Sequence, residues 1–237
     1  MPDTYVPMTP VADVQEARPV TQREVLVEGR VFDLVRDTVD LGSAGVVTRD
    51  YVDHPGAVAI IALNDREEVL LLRQYRHPVR SFLWEPPAGL LDVAGEDAAQ
   101  AAARELYEEA DLRATSWAVL ADYFTTPGGN NEALRVFLAR NLTEVPHAEQ
   151  HERVDEEVGM ERAWVPLDEA VSLVLAGDLH NPSAVEGILA AQAARATGWA
   201  SLRPVDTPWP QRRSRPASLE PLAHQSAHQP WGGEVPE

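Results

Sequence analysis

The chain has 237 residues, with 44% hydrophobic and 24% charged side chains and a formal net charge of −18. That length supplies one sizeable core, alone or with an accessory segment, in a globular protein of ordinary composition. The acidity argues against general affinity for nucleic-acid backbones or anionic membranes, and the lack of cysteine removes disulfides and thiolate metal sites.

The opening MPDTYVPMTPVADV lacks the basic and apolar regions of a signal peptide, and no apolar run approaches a membrane span, so a cytoplasmic location is expected. Residues 1–22 read as a flexible N-terminus. From Arg23 to Asp40 the pattern is β-like around Gly29; Leu41–Gly45 reads as a turn and Val46–Val52 as a return strand. This antiparallel unit, residues 23–53, buries little alone and should pack on something else. After His54-Pro55-Gly56, Ala57–Leu63 reads as a strand buried on both faces, with Asn64-Asp65 as its turn and Val69–Leu72 as its hairpin partner. Arg73 and Arg76 follow, either as edge polarity or facing an anionic substrate. Phe82–Trp84 reads as a short strand, with Trp84 in the core rather than a ligand platform.

Next comes Gly89–Leu112, GLLDVAGEDAAQAAARELYEEADL. The spacing predicts a helix opening near Asp97, alanine-rich and then carboxylate-rich. Glu105 and Glu109 share one face, Glu108 reaches the same rim, and Arg104 stands four before Glu108 and braces it. Taken alone, ELYEEAD is most simply a solvated helix face. Crowded carboxylates also suit a hard divalent cation such as Mg²⁺ or Mn²⁺.

Thr115–Phe124 and Ala133–Ala139 read as strands around the turn Thr125–Glu132. Residues 143–160 are polar, acidic and aperiodic, as in a long mobile loop. Arg162–Leu167 reads as the last strand. A helix from Asp168 to about Ala176 stops before Gly177, and Asn181 caps a final helix with Pro182 at its first position. Residues 201–237, rich in Pro, Ser, Gln and His, read as a disordered tail in which the pair His224 and His228 is a weak metal signal.

Glu96, Arg104, Glu105, Leu106, Glu108, Glu109 and Leu112 fall in register on a known pattern, and the stretch resembles the Nudix box, Gx5Ex7REUxEExGU, with U a bulky aliphatic residue. There are two departures. Gly89 is seven residues before Glu96 where the pattern asks for six, and Asp111 holds the second glycine position, where a left-handed residue is wanted. Pro127, fifteen residues after Leu112, and the Pro-Gly-x-x-x-Glu form ending at Glu132 are similar to the ADP-ribose pyrophosphatase subgroup.

The resemblance implies an α/β/α sandwich with a mixed sheet over residues 54–200, preceded by the antiparallel unit, and hydrolysis of ADP-ribose to AMP and ribose 5-phosphate. It implies Mg²⁺, or Mn²⁺, held by Glu105, Glu108, Glu109, Glu96 and the carbonyl of Ala88, with Arg104 holding the box glutamates in place. A loop carboxylate acts on the water: Glu156 first, Glu157 second, with Glu152 and Asp155 left open. Substrate contacts fall to Arg73, Arg76, Glu85, Gly89, Pro127, Gly128 and Glu132. The N-terminal unit implies a homodimer in which Tyr51, or arginines between 23 and 49, reach the partner's nucleotide. Neither nucleic acid nor membrane is an expected partner. The rival readings are a hydrolase of another nucleoside diphosphate sugar or dinucleotide, a non-catalytic ADP-ribose-binding module, and an acidic α/β interaction domain.

Overall fold

Valines alternating with charged residues fold the start of the chain into an antiparallel sheet of β1 (Val20–Val27), β2 (Asp33–Asp40) and β3 (Val46–Asp53). The computed structural model describes residues 11–151 and 160–212. Register sets Arg23 opposite Asp37 and Val35 opposite Tyr51 on one face of this sheet, and Arg36 opposite Asp50 on the other. Val20, Val25, Val27 and Val46 stay exposed. The sheet meets the rest of the chain at Val52, which donates to the Gly129 carbonyl (3.0 Å) and accepts from the Asn131 N–H (3.2 Å).

The main domain comprises β4 (Ala57–Ala62), β5 (Glu68–Arg76), β6 (Ser81–Glu85), β7 (Ala88–Leu90), α1 (Ala98–Ala110), β8 (Leu112–Phe124), β9 (Ala133–Glu144), β10 (Glu161–Pro166), α2 (Leu167–Ala176) and α3 (Pro182–Ala196). A mixed sheet runs β7-β4-β9-β8, with β4 parallel to β9, and a second sheet runs β10-β5-β6. The hairpin expected of β4 and β5 is not formed. Both edges of β4 are taken by β7 and β9, so β5 starts another sheet and joins β4 at the isolated bridge Leu63–Val69.

β4 is buried throughout, and its alternation assigns the two layers. Ala57, Ala59 and Ile61 pack with Leu134, Val136 and Leu138 against α2 and α3. Val58, Ile60 and Ala62 pack with Phe137 against Ala101, Ala102 and Leu106 of α1. Each fully buried isoleucine contributes about 1.5–3 kcal/mol by leaving water. Gly187 lets α3 approach closely, since a β-carbon there would lie 2.7 Å from Ile61 Cδ1. Trp84 packs against the α2/α3 layer, as expected of a core residue. Residues 201–212, expected to belong to a disordered tail, are laid against the domain, with Arg203 bridging to Val119 of β8.

Candidate active site

Asp97 accepts the N–H groups of Ala99 (2.9 Å) and Gln100 (2.8 Å), while Gln100 Oε1 accepts the Asp97 N–H (3.1 Å). This capping box sets where α1 begins and therefore which residues face the sheet rim. At the other end Asp111 adopts the left-handed conformation (φ 54°) that the box pattern assigns to glycine. Its buried carboxylate meets Arg162 Nη1 at 3.2 Å, and the same nitrogen donates to the Ala110 carbonyl at 2.8 Å. The aspartate side chain is thus tolerated because a distant arginine balances its charge and caps the helix.

α1 runs so close beneath β7 that a β-carbon on Gly89 would fall 1.9 Å from Glu105 Oε1. Glycine is required here by proximity, since its φ is not left-handed. Ala88 lies one residue earlier on the sheet edge. The flanking bonds to β4, Ile60 N–H to Pro87 O (2.8 Å) and Leu91 N–H to Gly56 O (3.0 Å), make Ala88–Ala59 a pair whose own N–H and C=O groups turn away from each other. The Ala88 N–H donates to Glu109 Oε2 (3.0 Å). Its carbonyl is turned to the same side of the strand, toward the box carboxylates.

Arg104 binds both oxygens of Glu96 (2.9 Å each) and gives Nη1 to Glu105 (2.6 Å) and Glu108 (3.1 Å). These bonds raise the pKa of its guanidinium, which stays charged. Burial pushes the Glu105 carboxyl up from its ordinary value against the pull of Arg104, and the Glu108 and Glu96 charges add to the rise. Among the described residues no three acidic or imidazole groups already close on one point, because Glu96, Glu105 and Glu108 turn to the guanidinium. The donor set still fits a hard cation: carboxylates and one outward carbonyl, all oxygen, beside a glycine that leaves room for them.

Arg76 grips Glu85, nearly buried at the end of β6, through Nε–Oε1 (2.9 Å) and Nη2–Oε2 (2.6 Å). Both line a small cleft with Gln74, Pro86, Ala88 and Glu109, which joins this pair to the box. A larger cavity of about 290 Å³ lies at the C-terminal end of α1 between Asp111, Arg162 and Trp164. It contains none of the box glutamates, whereas the smaller cleft contains Glu109.

Other expected site residues are placed elsewhere. Arg73 stands three residues before Arg76 on β5 and so points from the opposite face, paired with Glu161 (2.8 Å) and lying over Phe82. Tyr51 bonds Arg23 and Asp37 (3.0 Å) within the N-terminal sheet, and burial pushes its hydroxyl up to about 12. Pro127 and Gly128 are exposed in the β8–β9 turn. Glu132 accepts from the Thr125 hydroxyl (2.8 Å) and faces His54 Nδ1 at 3.6 Å. That nitrogen accepts the Gly56 N–H (3.1 Å), and burial lowers the His54 pKa, so the imidazole is neutral. His54 and Asn131, which also accepts the His54 N–H (2.8 Å), tie the turn to the N-terminal sheet. Their signal in the sequence was only their position beside turn residues. Glu152, Asp155, Glu156 and Glu157 lie outside the described residues. The chain leading toward them is held to α1 by the Tyr107 hydroxyl on the Glu149 carbonyl (2.7 Å) and to β8 by Arg113 on Glu149 (3.0 Å).

A mixed sheet between helices, with an arginine-braced row of glutamates under a glycine edge strand, defines a hydrolase of the α/β/α sandwich class. The chain belongs to the Nudix family, and the NUDIX domain model matches residues 53–185. An ADP-ribose pyrophosphatase of Mycobacterium tuberculosis is 47% identical over 189 residues, 80% of this chain and 89% of the relative. An ADP-ribose pyrophosphatase of Bacillus subtilis is 33% identical over 159 residues, 67% of this chain and 84% of the relative. A crystal structure of an ADP compounds hydrolase superposes with a TM-score of 0.63 at 21% identity, covering 79% of this chain and 100% of that one, and shows the same fold.

Proposed function

We propose that this chain hydrolyses the pyrophosphate bond of ADP-ribose, giving AMP and ribose 5-phosphate, with Mg²⁺ as the resident cation and Mn²⁺ as a substitute. The reaction class is carried by one observation, the packing of Glu105 against Gly89 with Glu109 on the Ala88 N–H. The choice of substrate is supported by the two ADP-ribose pyrophosphatases to which the chain is similar.

Glu105 and Glu109, with Glu108, Glu96 and the Ala88 carbonyl, would hold the cation. Bound there, it supplies charge neutralisation at the phosphates and a more acidic water. Arg104 keeps the glutamates from separating by their mutual repulsion. Arg76, oriented by Glu85, offers a cation at the cleft for the diphosphate. Water oxygen attacks one phosphorus, the bridging P–O bond breaks, and the leaving phosphate retains the bridging oxygen. Glu156, or failing it Glu157, accepts the water proton.

The exposed valines of the N-terminal sheet support a homodimer built on residues 23–53, in which Tyr51 reaches the partner's nucleotide. The acidic, cysteine-free chain is suited to the cytoplasm.

The test is AMP release from ADP-ribose with Mg²⁺, with ADP-glucose and NADH alongside, for wild type and Glu109→Gln. Preference for ADP-ribose and a loss of about 100-fold or more in the variant are expected. Preference for another substrate would overturn the substrate assignment, and an active variant would overturn the cation site.

A further inference from the structure

β8 is an edge strand, and at its bulge both backbone groups of Val119 are taken by Arg203 (2.9 and 3.1 Å). From that point the chain crosses the rim of the mixed sheet. Its anchor is Arg135, a buried arginine inside the apolar strand β9. Arg135 binds both oxygens of Asp122 (2.7 and 3.0 Å), donates Nη1 to the Thr207 carbonyl (2.8 Å) and lies 4.7 Å from the ring centre of Trp209. A buried guanidinium is stable only with its donors matched, so β9 and the crossing segment require each other.

Trp209 packs on the layer that contains Leu91, Ala101 and Leu106. Arg212 Nη2 then donates to the Leu91 carbonyl (3.3 Å), whose residue is already held at its N–H by Gly56 (3.0 Å). Leu91 immediately follows β7, the three-residue edge strand that carries Ala88 and Gly89. The loop from Gly89 to Glu96 is one residue longer than the box pattern, and Asp92–Gly95 are all exposed. A short edge strand leading into a lengthened, solvated loop is free to shift unless something fixes its end.

We propose that residues 203–212 are a strap that positions the cation site, with Trp209 and Arg212 as positioning residues that act through Leu91 on Ala88 and Gly89. This rests on the assignment of the cation to the box carboxylates. A strap that only covered the exposed edge of β8 would protect the fold and leave cation affinity unchanged.

The experiment uses the full chain and titrates Mn²⁺ without substrate, following free Mn²⁺ by electron paramagnetic resonance, with Glu109→Gln defining box-dependent binding. Mg²⁺ dependence of kcat and KM for ADP-ribose is measured beside it. Arg212→Met and Trp209→Ala should each weaken box-dependent Mn²⁺ binding by about 10-fold or more, as groups supporting metal ligands do. KM at saturating cation should stay within about twofold, and Trp209→Phe should restore most of the affinity. Wild-type Mn²⁺ affinity in both Arg212→Met and Trp209→Ala, whatever their melting temperatures, overturns the strap alone. No box-dependent Mn²⁺ binding in wild type overturns the cation site and the strap together. Weakened binding in a protein inactive on ADP-ribose supports the strap and removes only the substrate assignment.

Discussion

Gly89→Ala is a substitution of one methyl group for which the structure forecasts a large catalytic and a small structural effect. The new β-carbon would stand 1.9 Å from Glu105 Oε1, 2.0 Å from Cδ and 2.4 Å from Cγ. Carbon and oxygen need about 3.4 Å, so the Glu105 side chain must retreat by roughly 1.5 Å or rotate away. Backbone strain is not at issue, because Gly89 does not hold a left-handed φ, and alanine lowers the entropy of the unfolded chain. The retreat breaks the 2.6 Å bond between Arg104 and Glu105, while Arg104 keeps both bonds to Glu96. A net cost of about 1–2 kcal/mol follows, lowering the melting temperature by roughly 2–8 °C. Displacing a group by about 1 Å at a reacting centre costs on the order of 100-fold in rate. AMP release at saturating Mg²⁺ and a thermal melt on the same sample provide the comparison. Activity within about threefold of wild type would refute the reasoning that Glu105 must sit beside Gly89 for the reaction, because the methyl group displaces it from that place.

Glu186 on α3 has a buried Oε2 with no hydrogen-bond partner among the described residues, and burial, then the Asp122 charge, pushes its carboxyl up. A raised carboxyl favours the fold while protonated, a contribution present below its unfolded value of 4.5 and lost as pH rises through the folded value. Glu186→Gln should therefore raise the melting temperature at about pH 8, with a gain that shrinks toward pH 4; an equal gain at both would show that ionisation is not the cause. Arg162→Met removes the partner of the buried Asp111 carboxylate and the donor to the Ala110 carbonyl. It should cost about 1–3 kcal/mol, and combining it with Asp111→Gly should restore part of the loss, measurable by urea denaturation. A strictly additive double variant would show that the two residues do not cooperate.

Local chemistry made much of this molecule readable from its sequence. Asp97, near which the helix was expected to open, and Asp111 at the position of a left-handed residue bracket α1 within a residue of its observed ends because caps are set by neighbouring atoms. The buried run from Ala57 was equally clear, but its partner was not. Asn64-Asp65 signals a turn whether the next strand joins the same sheet or another, and β4 instead pairs in parallel with β9, far along the chain. Arg73 and Arg76 were separable in principle, since residues three apart on a strand point to opposite faces, a parity that decides which of them reaches the cleft. The ordered start of the C-terminal segment left one faint sign, Arg135 alone within the apolar run Ala133–Ala139, and its meaning required knowing what would come to cover it.

The two departures from the box pattern are answered by residues outside the box. Where the pattern has glycine at the end of α1, this chain has Asp111, and Arg162 from β10 supplies both the counter-charge and the helix cap. Where the pattern has a shorter loop, this chain has an extra residue, and Arg212 fixes the Leu91 carbonyl at its start. Both arginines act on an end of a short element that carries or positions site residues: Arg162 on the C-terminus of α1, Arg212 on the exit of β7. The carboxylates proposed to hold one cation lie on α1 and its leading loop, while the carbonyl proposed to join them lies on β7, so their mutual distance depends on both ends being held. The box residues can thus be complete while, on the strap proposal, their alignment depends on a contact made from as far away as residue 212, so Arg212→Met should alter cation affinity more than it alters the fold.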